Sequence, residues 1–212
     1  MPELRVKKRR FLDDGQLEVT LDSKEKFVLD PVLYDLRELE EGMEVDEKLY
    51  KSLESDKLLS KCRKKASDLL FRRMHAKGEL RKKLYTKNEF PITFIEKVIS
   101  EMESFGYLND KKFALEFCKE LSRKAYGPRL IRQKMYQRGL DGSLINEIVQ
   151  EFTESKQDND EELLRLAQKK LKSLHRETDE FKKRQKLYRF LAGKGWGGGE
   201  INRVIEKIFK GR

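Results

Sequence analysis

From about residue 56 onward the apolar residues of this 212-residue chain recur every three or four positions, and the pattern of stripes itself repeats. Leu58, Leu59, Cys62, Ala66, Leu69, Leu70 and Met74 form one stripe, Leu80 and Leu84 the next, and Ile92, Ile95, Val98, Ile99 and Met102 a third. The order then recurs with Phe113, Ala114, Phe117, Cys118 and Leu121, with Ile131 and Met135, and with Leu140, Ile145, Ile148, Val149 and Phe152. A third pass runs from Leu163 to Leu174, through Leu187 and Leu191, to Trp196, Ile201, Val204, Ile205 and Ile208. A shift of 56 lays Ile131, Met135, Gly139, Leu140, Ile145 and Ile148 on Leu187, Leu191, Gly195, Trp196, Ile201 and Val204 without a gap. A shift of 51 lays Leu80 and Leu84 on Ile131 and Met135. Spacing of 3.6 residues is that of amphipathic helices, and a unit too thin to bury its own faces must stack on its neighbours. The pattern predicts a mainly α chain of three tandem three-helix repeats over 56–106, 107–156 and 157–212, rather than one irregular bundle.

Punctuation supports these boundaries. Asn109-Asp110 offers a helix cap, Gly127-Pro128 breaks the chain and starts the next helix, and Gly139 and Gly195 stand where a helix must end and reverse. Residues 1–55 read differently. Leu4 and Val6, then Leu17, Val19 and Leu21, then Phe27 and Leu29 alternate as strands do, with turns at Asp13-Asp14-Gly15 and Asp22-Ser23-Lys24. A small antiparallel meander is expected there. A short amphipathic piece with Val32, Leu33, Leu36 and Leu39 should follow, closed by Gly42 as a C-cap, and Asp46 should open another short helix to about Leu53.

Charge narrows the function. Residues 1–56 carry 10 Lys/Arg against 16 Asp/Glu, whereas residues 57–212 carry 38 against 22, a net of +16. Balanced helical ion pairs leave no such excess, so a polyanionic partner is expected, with nucleic acid the commonest kind. No apolar run approaches the roughly 18 residues a bilayer span needs, and no leader opens the chain, so a cytoplasmic protein without membrane attachment is expected. Cys62 and Cys118 lie far apart and should be reduced, half-buried thiols, and nothing in the spacing suggests a metal site or cofactor. No long heptad run occurs, so a monomer is expected.

The segment Ala192–Gly199 superficially resembles a phosphate-binding loop, but Gly193-Lys194 is followed by glycine instead of Ser or Thr, and no strand precedes it. It reads as an inter-helix turn, with Trp196 at a core position. His75 reads as an exposed residue at a helix end. No catalytic constellation emerges, so the chain is read as a non-enzyme. A helix-turn-helix reader would need base-reading side chains at the start of its recognition helix, and Pro91-Ile92-Thr93, Gly142-Ser143 and Gly198-Gly199-Glu200 do not supply them. The basic clusters are the better candidates for contact: Arg72, Arg73, Lys82, Lys83, Arg123, Lys124, Arg129, Arg132, Lys134 and Arg138, with Lys182, Lys183, Arg184, Lys186 and Arg189 further on. Arg72-Arg73 and Arg123-Lys124 share the offset of 51, which suits a partner that is itself periodic.

At this level the residues resemble a known family. Arg72-Arg73-Met74 with Glu79-Leu80 and Leu84, Gly106-Tyr107-Leu108-Asn109-Asp110 with Phe113-Ala114, and Gly127-Pro128 with Ile131, Met135 and Gly139-Leu140 are similar to the signatures of the RecX regulatory proteins. The resemblance covers about residues 57–209 and implies three tandem three-helix repeats in a curved, elongated array. It also implies a bacterial cytoplasmic protein that binds the RecA recombinase in its filament on single-stranded DNA and restrains ATP hydrolysis, strand exchange and coprotease activity. Recombinational repair and the SOS response would be damped in consequence. Gly197-Gly198-Gly199 departs from the family and is expected to loosen the last inter-helix turn. The alternative from the residues alone is a general nucleic-acid-binding helical repeat without a protein target.

Overall fold

A computed structural model describes residues 4–13, 15–29, 39–155 and 159–210. The chain opens with strands β1 (Leu4–Phe11), β2 (Leu17–Leu21) and β3 (Lys26–Leu29), the expected meander, and adds a short β4 (Glu44–Val45). The sheet order is β3-β2-β1-β4, antiparallel throughout. Alternation fixes its register: Leu17, Val19 and Leu21 are buried, while Glu18 and Thr20 point outward. β4 has a local cause. Gly42 takes φ +87°, its amide donates to the Val6 carbonyl, and Val6 returns a bond to Met43, so the glycine turns the chain into a strand rather than capping a helix. Val32, Leu33 and Leu36 of the expected amphipathic piece lie outside the described residues, and Leu39 is buried in the sheet core.

The Asp46 carboxylate caps the next helix as expected, accepting from the Leu49 amide at 2.6 Å. The helix does not stop at Leu53. α1 runs unbroken from Glu47 to Arg72, through position 56, because Glu54-Ser55-Asp56-Lys57 contains no glycine or proline and the apolar stripe continues across it. Its first half packs on the sheet through Leu53, with the Tyr50 hydroxyl donating to Glu25 at 3.0 Å.

Helices α2 (Lys77–Tyr85), α3 (Ile92–Ser104), α4 (Asp110–Arg123), α5 (Pro128–Gln137), α6 (Gly142–Ser155), α7 (Asn159–Ser173), α8 (Glu180–Gly193) and α9 (Gly198–Lys210) follow. Among the described residues the nine helices fall in chain order into α1–α3, α4–α6 and α7–α9. The residues of the repeating stripes are the buried ones: Ala114, Ile131, Met135, Ile145 and Ile148 in the second group, Leu163, Leu187, Leu191, Ile201 and Val204 in the third. Asn109 caps α4 by accepting from Lys112 at 2.8 Å. Cys62 and Cys118 are fully buried free thiols, deeper than the half-buried reading, because both lie on the inner stripe of their helices.

Close contacts divide the chain into two compact units, Met1–Arg72 with Leu84–Glu101, and Arg73–Lys83 with Met102–Arg212. Within the second unit, consecutive groups meet through pairs of glycines. A Cβ on Gly78 would come within 2.3 Å of the Gly139 carbonyl oxygen, and one on Gly127 within 2.6 Å of the Gly195 carbonyl. Gly139 and Gly195 have φ of +75° and +89°, so the residue that reverses the chain is also the one that lets the neighbouring helix start approach its backbone. The glycine-rich turn after α8, expected to be loose, carries regular structure and a side-chain hydrogen bond. Gly198 and Gly199 belong to the first turn of α9, and the Gly197 amide donates to Glu200 Oε2 at 2.8 Å.

Candidate functional site

The candidate cations divide by what holds them. Glu79, on the first turn of α2, gathers three: Arg73 reaches its two oxygens at 2.5 and 3.1 Å, Arg138 at 2.7 Å and Lys83 at 3.6 Å. Burial on its own would raise this carboxyl, but the Arg73 hydrogen bonds and the Arg138 and Arg73 charges outweigh it and bring it down to about 2. His75 lies beneath this cluster, 3% exposed, so the expectation of an exposed side chain is wrong. Its Nδ1 is 2.9 Å from the Arg73 carbonyl and its Nε2 is 3.0 Å from Lys83 Nζ. Lysine only donates, so the ring is neutral and carries its proton on Nδ1. Burial, together with the Arg73 and Lys83 charges, lowers its pKa. Three of the sequence-derived candidates, Arg73, Lys83 and Arg138, therefore hold a structural ion cluster.

The others are more available. Lys124 pairs with Glu120 one turn back at 2.6 Å, and Lys134 sits 5.3 Å from the Tyr126 ring centroid, which Lys194 approaches from 4.8 Å. Such contacts on exposed or half-buried surface lysines are worth little and yield readily to a stronger anion. Arg72 ends α1 and is exposed, as are Lys82 on α2 and Arg123 at the end of α4. Arg129 is exposed and Arg132 half-buried on α5, and neither has an ion pair among the described residues. With Ile131 and Met135 buried, helical spacing puts Arg129, Arg132 and Tyr136 along one outer face, and Tyr136 is itself exposed. Of the later cations, Lys182, Arg184 and Lys186 pair with Asp179, Glu180 and Glu177.

A groove of about 520 Å³ in the second unit brings Arg73, Arg123 and Arg138 together over Met74, Phe113 and Phe117, with Glu116 and Glu120 also in its wall. The Arg138 guanidinium lies 5.4 Å from the Phe117 ring centroid. Sequence reading found these cations but missed their organiser. Glu79 and Arg138 are 59 positions apart, and only the glycine contact between α2 and α5 brings them together. Trp196 is a core residue as expected, and its indole donates to the Ala125 carbonyl at 3.3 Å. Among the described residues, no cluster of His, Cys, Asp and Glu could hold a metal, and no helix is long and apolar enough to cross a membrane.

The fold and this site define a tandem three-helix-repeat protein whose groups join through bare backbone and whose helices present arginine and lysine outward. Residues 109–148 and 157–205 match the second and third three-helix domains of RecX. The chain is 31% identical to the regulatory protein RecX of Clostridium botulinum strain Eklund 17B over 97% of this chain and 94% of the relative. It is 32% identical to that of Chlorobium phaeobacteroides over 69% of this chain and 95% of the relative. Its fold matches a crystal structure of regulatory protein RecX with a TM-score of 0.74, at 23% identity, over 95% of this chain and 98% of that one. The chain belongs to the RecX family of regulatory proteins.

Proposed function

We propose that this protein binds the RecA recombinase in its filament on single-stranded DNA and modulates it, chiefly by inhibiting ATP hydrolysis, strand exchange and coprotease activity. Membership of a family of regulatory proteins over nearly the whole chain supports this reading. The observation that carries it is the outer face of α5, which presents Arg129 and Arg132 without ion-pair partners among the described residues while its other face is committed to the core. A regularly repeating polyanionic assembly would engage several such groups at once, and avidity then grows without any single strong contact. Preference for one filament state is sufficient to change the rate of hydrolysis.

The test is the single-stranded-DNA-dependent ATPase of the cognate RecA. Hydrolysis should fall as the protein is added, and Arg129→Glu/Arg132→Glu should shift the inhibition curve to about tenfold higher concentration. Unchanged hydrolysis at saturating protein would overturn the proposal. Arg129 and Arg132 beside the exposed Tyr136 equally favour a second reading, a general nucleic-acid binder. Equal affinity for bare and RecA-coated single-stranded DNA, with the same steep salt dependence on both, would favour that one.

A further inference from the structure

In the second group, the space beside the end of α4 and the start of α5 is filled. Trp196 donates to the Ala125 carbonyl, and the Gly127 amide donates to the Lys194 carbonyl at 2.9 Å, so the α8–α9 turn lies against it. The equivalent space in the third group follows from the register of the cores. Ala114 and Cys118 correspond to Leu163 and Ala167, all fully buried, a shift of 49, and Gly127 corresponds to Lys183 by the shift of 56. Leu171, Leu174 and His175 therefore stand where Ser122, Ala125 and Tyr126 do.

Among the described residues nothing fills this second space. It is an open pocket of about 620 Å³ bounded by α7, α8 and α9. Ser122 is buried in the filled version, yet Leu171 and Leu174 are only half-buried here, as are Ile208 and Phe209 beside them. An apolar floor left open to solvent is the mark of a binding surface. The rim is cationic through Lys172, Lys183 and Lys207, with His175 beside them and no carboxylate in the lining, and none of the three lysines has an ion pair among the described residues.

These features select one occupant. Another helical turn of the same kind is disfavoured, because the turns that dock in the two joints carry Arg138 and Lys194, and the close backbone contact at Gly127 is barred here by the Lys183 side chain. A nucleobase needs a flat platform, but the floor is mainly branched aliphatic, and the Arg184 guanidinium already stands 4.7 Å from the Phe209 ring centroid. We propose that this pocket binds an acidic, amphipathic polypeptide segment of a partner protein. Its leucine- or phenylalanine-type side chains would enter between Leu171, Leu174 and Ile208, and its carboxylates would pair with Lys172, Lys183 and Lys207. The proposal holds whichever protein supplies the segment, so it stands or falls apart from the RecA reading.

The test uses the full chain and a short fluorescein-labelled helical peptide of glutamates with Leu and Phe anchors at i and i+4, followed by anisotropy. Lys183→Glu/Lys207→Glu should weaken binding about tenfold or more, and Leu174→Ser should do so while leaving affinity for oligothymidylate within about twofold. If Leu174→Ser fails to fold, the rim lysine pair still decides the matter. No binding, equal binding of a control peptide with its anchors changed to serine, or normal binding by both variants would overturn the proposal. So would displacement of the peptide by oligothymidylate whose own binding is lost in the same variants, since the pocket would then be a nucleic-acid site.

Discussion

The contact between α2 and α5 and the contact between α5 and α8 share one geometry and differ in chemistry. Both bring a helix start against a glycine in the left-handed region, Gly78 on Gly139 and Gly127 on Gly195, so close that a Cβ on either side collides with backbone. Around the first, side chains supply the adhesion: Arg73, Lys83 and Arg138 converge on Glu79 above a buried His75. Around the second, the backbone itself bonds across, Gly127 to Lys194 at 2.9 Å and Arg129 to Gly195 at 3.1 Å, and the Trp196 indole adds a third bond. The repeat conserves the steric requirement and leaves the adhesive free to vary. One joint should answer to pH and salt, the other only to shape.

The largest effect should come from shape. Gly195→Ala would put a methyl within 2.4 Å of the Leu130 amide nitrogen at a φ of +89°, and should cost at least about 3 kcal/mol in urea unfolding. Wild-type stability in that variant would remove the steric basis of the comparison. Trp196→Ala should follow at about 3–5 kcal/mol, with Trp196→Phe recovering much of the packing but not the bond to Ala125. Faster hydrogen exchange at Gly127 and Arg129, with none at α2, would assign the loss to the second joint.

Glu79→Gln should cost less, about 1–3 kcal/mol, since all three of its partners are more than a third exposed and solvent screens them. Its pH counterpart has a fixed sign. Glu79 has a folded pKa below its ordinary 4.5, so its contribution is full above that value and is lost as pH falls toward about 2. His75 has a folded pKa below its ordinary 6.5, so the unfolded chain takes up its proton first and stability begins to fall below that pH. Exchange protection at the first joint should therefore decay with acidification before that at the second, and Glu79→Gln should flatten the lower part of the decay. The smallest effect belongs to Arg129→Ala, within about 0.5 kcal/mol by thermal unfolding, because its side chain has no ion pair among the described residues and its backbone bond survives substitution.

Much of this protein was legible in its sequence because the relevant signals are local. Strand alternation from Leu17 to Leu21 and the helical stripes through Ile131, Met135, Ile145 and Ile148 each report which way a side chain faces, and the structure buries these residues. Gly139 and Gly195 declared themselves through their shared register. The errors came where local reading had no leverage. Local reading ends the helix at about Leu53 because the sustained 3.6-residue period starts near residue 56, although no residue there interrupts a helix. His75 was read from its turn-like neighbours, which say nothing about what packs above them. Of the contact candidates, the sequence could name the cations but not sort them.

Periodicity by itself determined the helices, their inward faces and the threefold recurrence, and composition determined the surplus of positive charge, because none of these depends on which residues meet in space. Tertiary structure alone decided that Glu79 would take up Arg73, Lys83 and Arg138 while leaving Arg129 and Arg132 without ion pairs among the described residues. It also left the apolar floor of the third group open. Attraction between charges falls off with distance through space, and residues 59 apart become neighbours only where two glycines let the backbones meet.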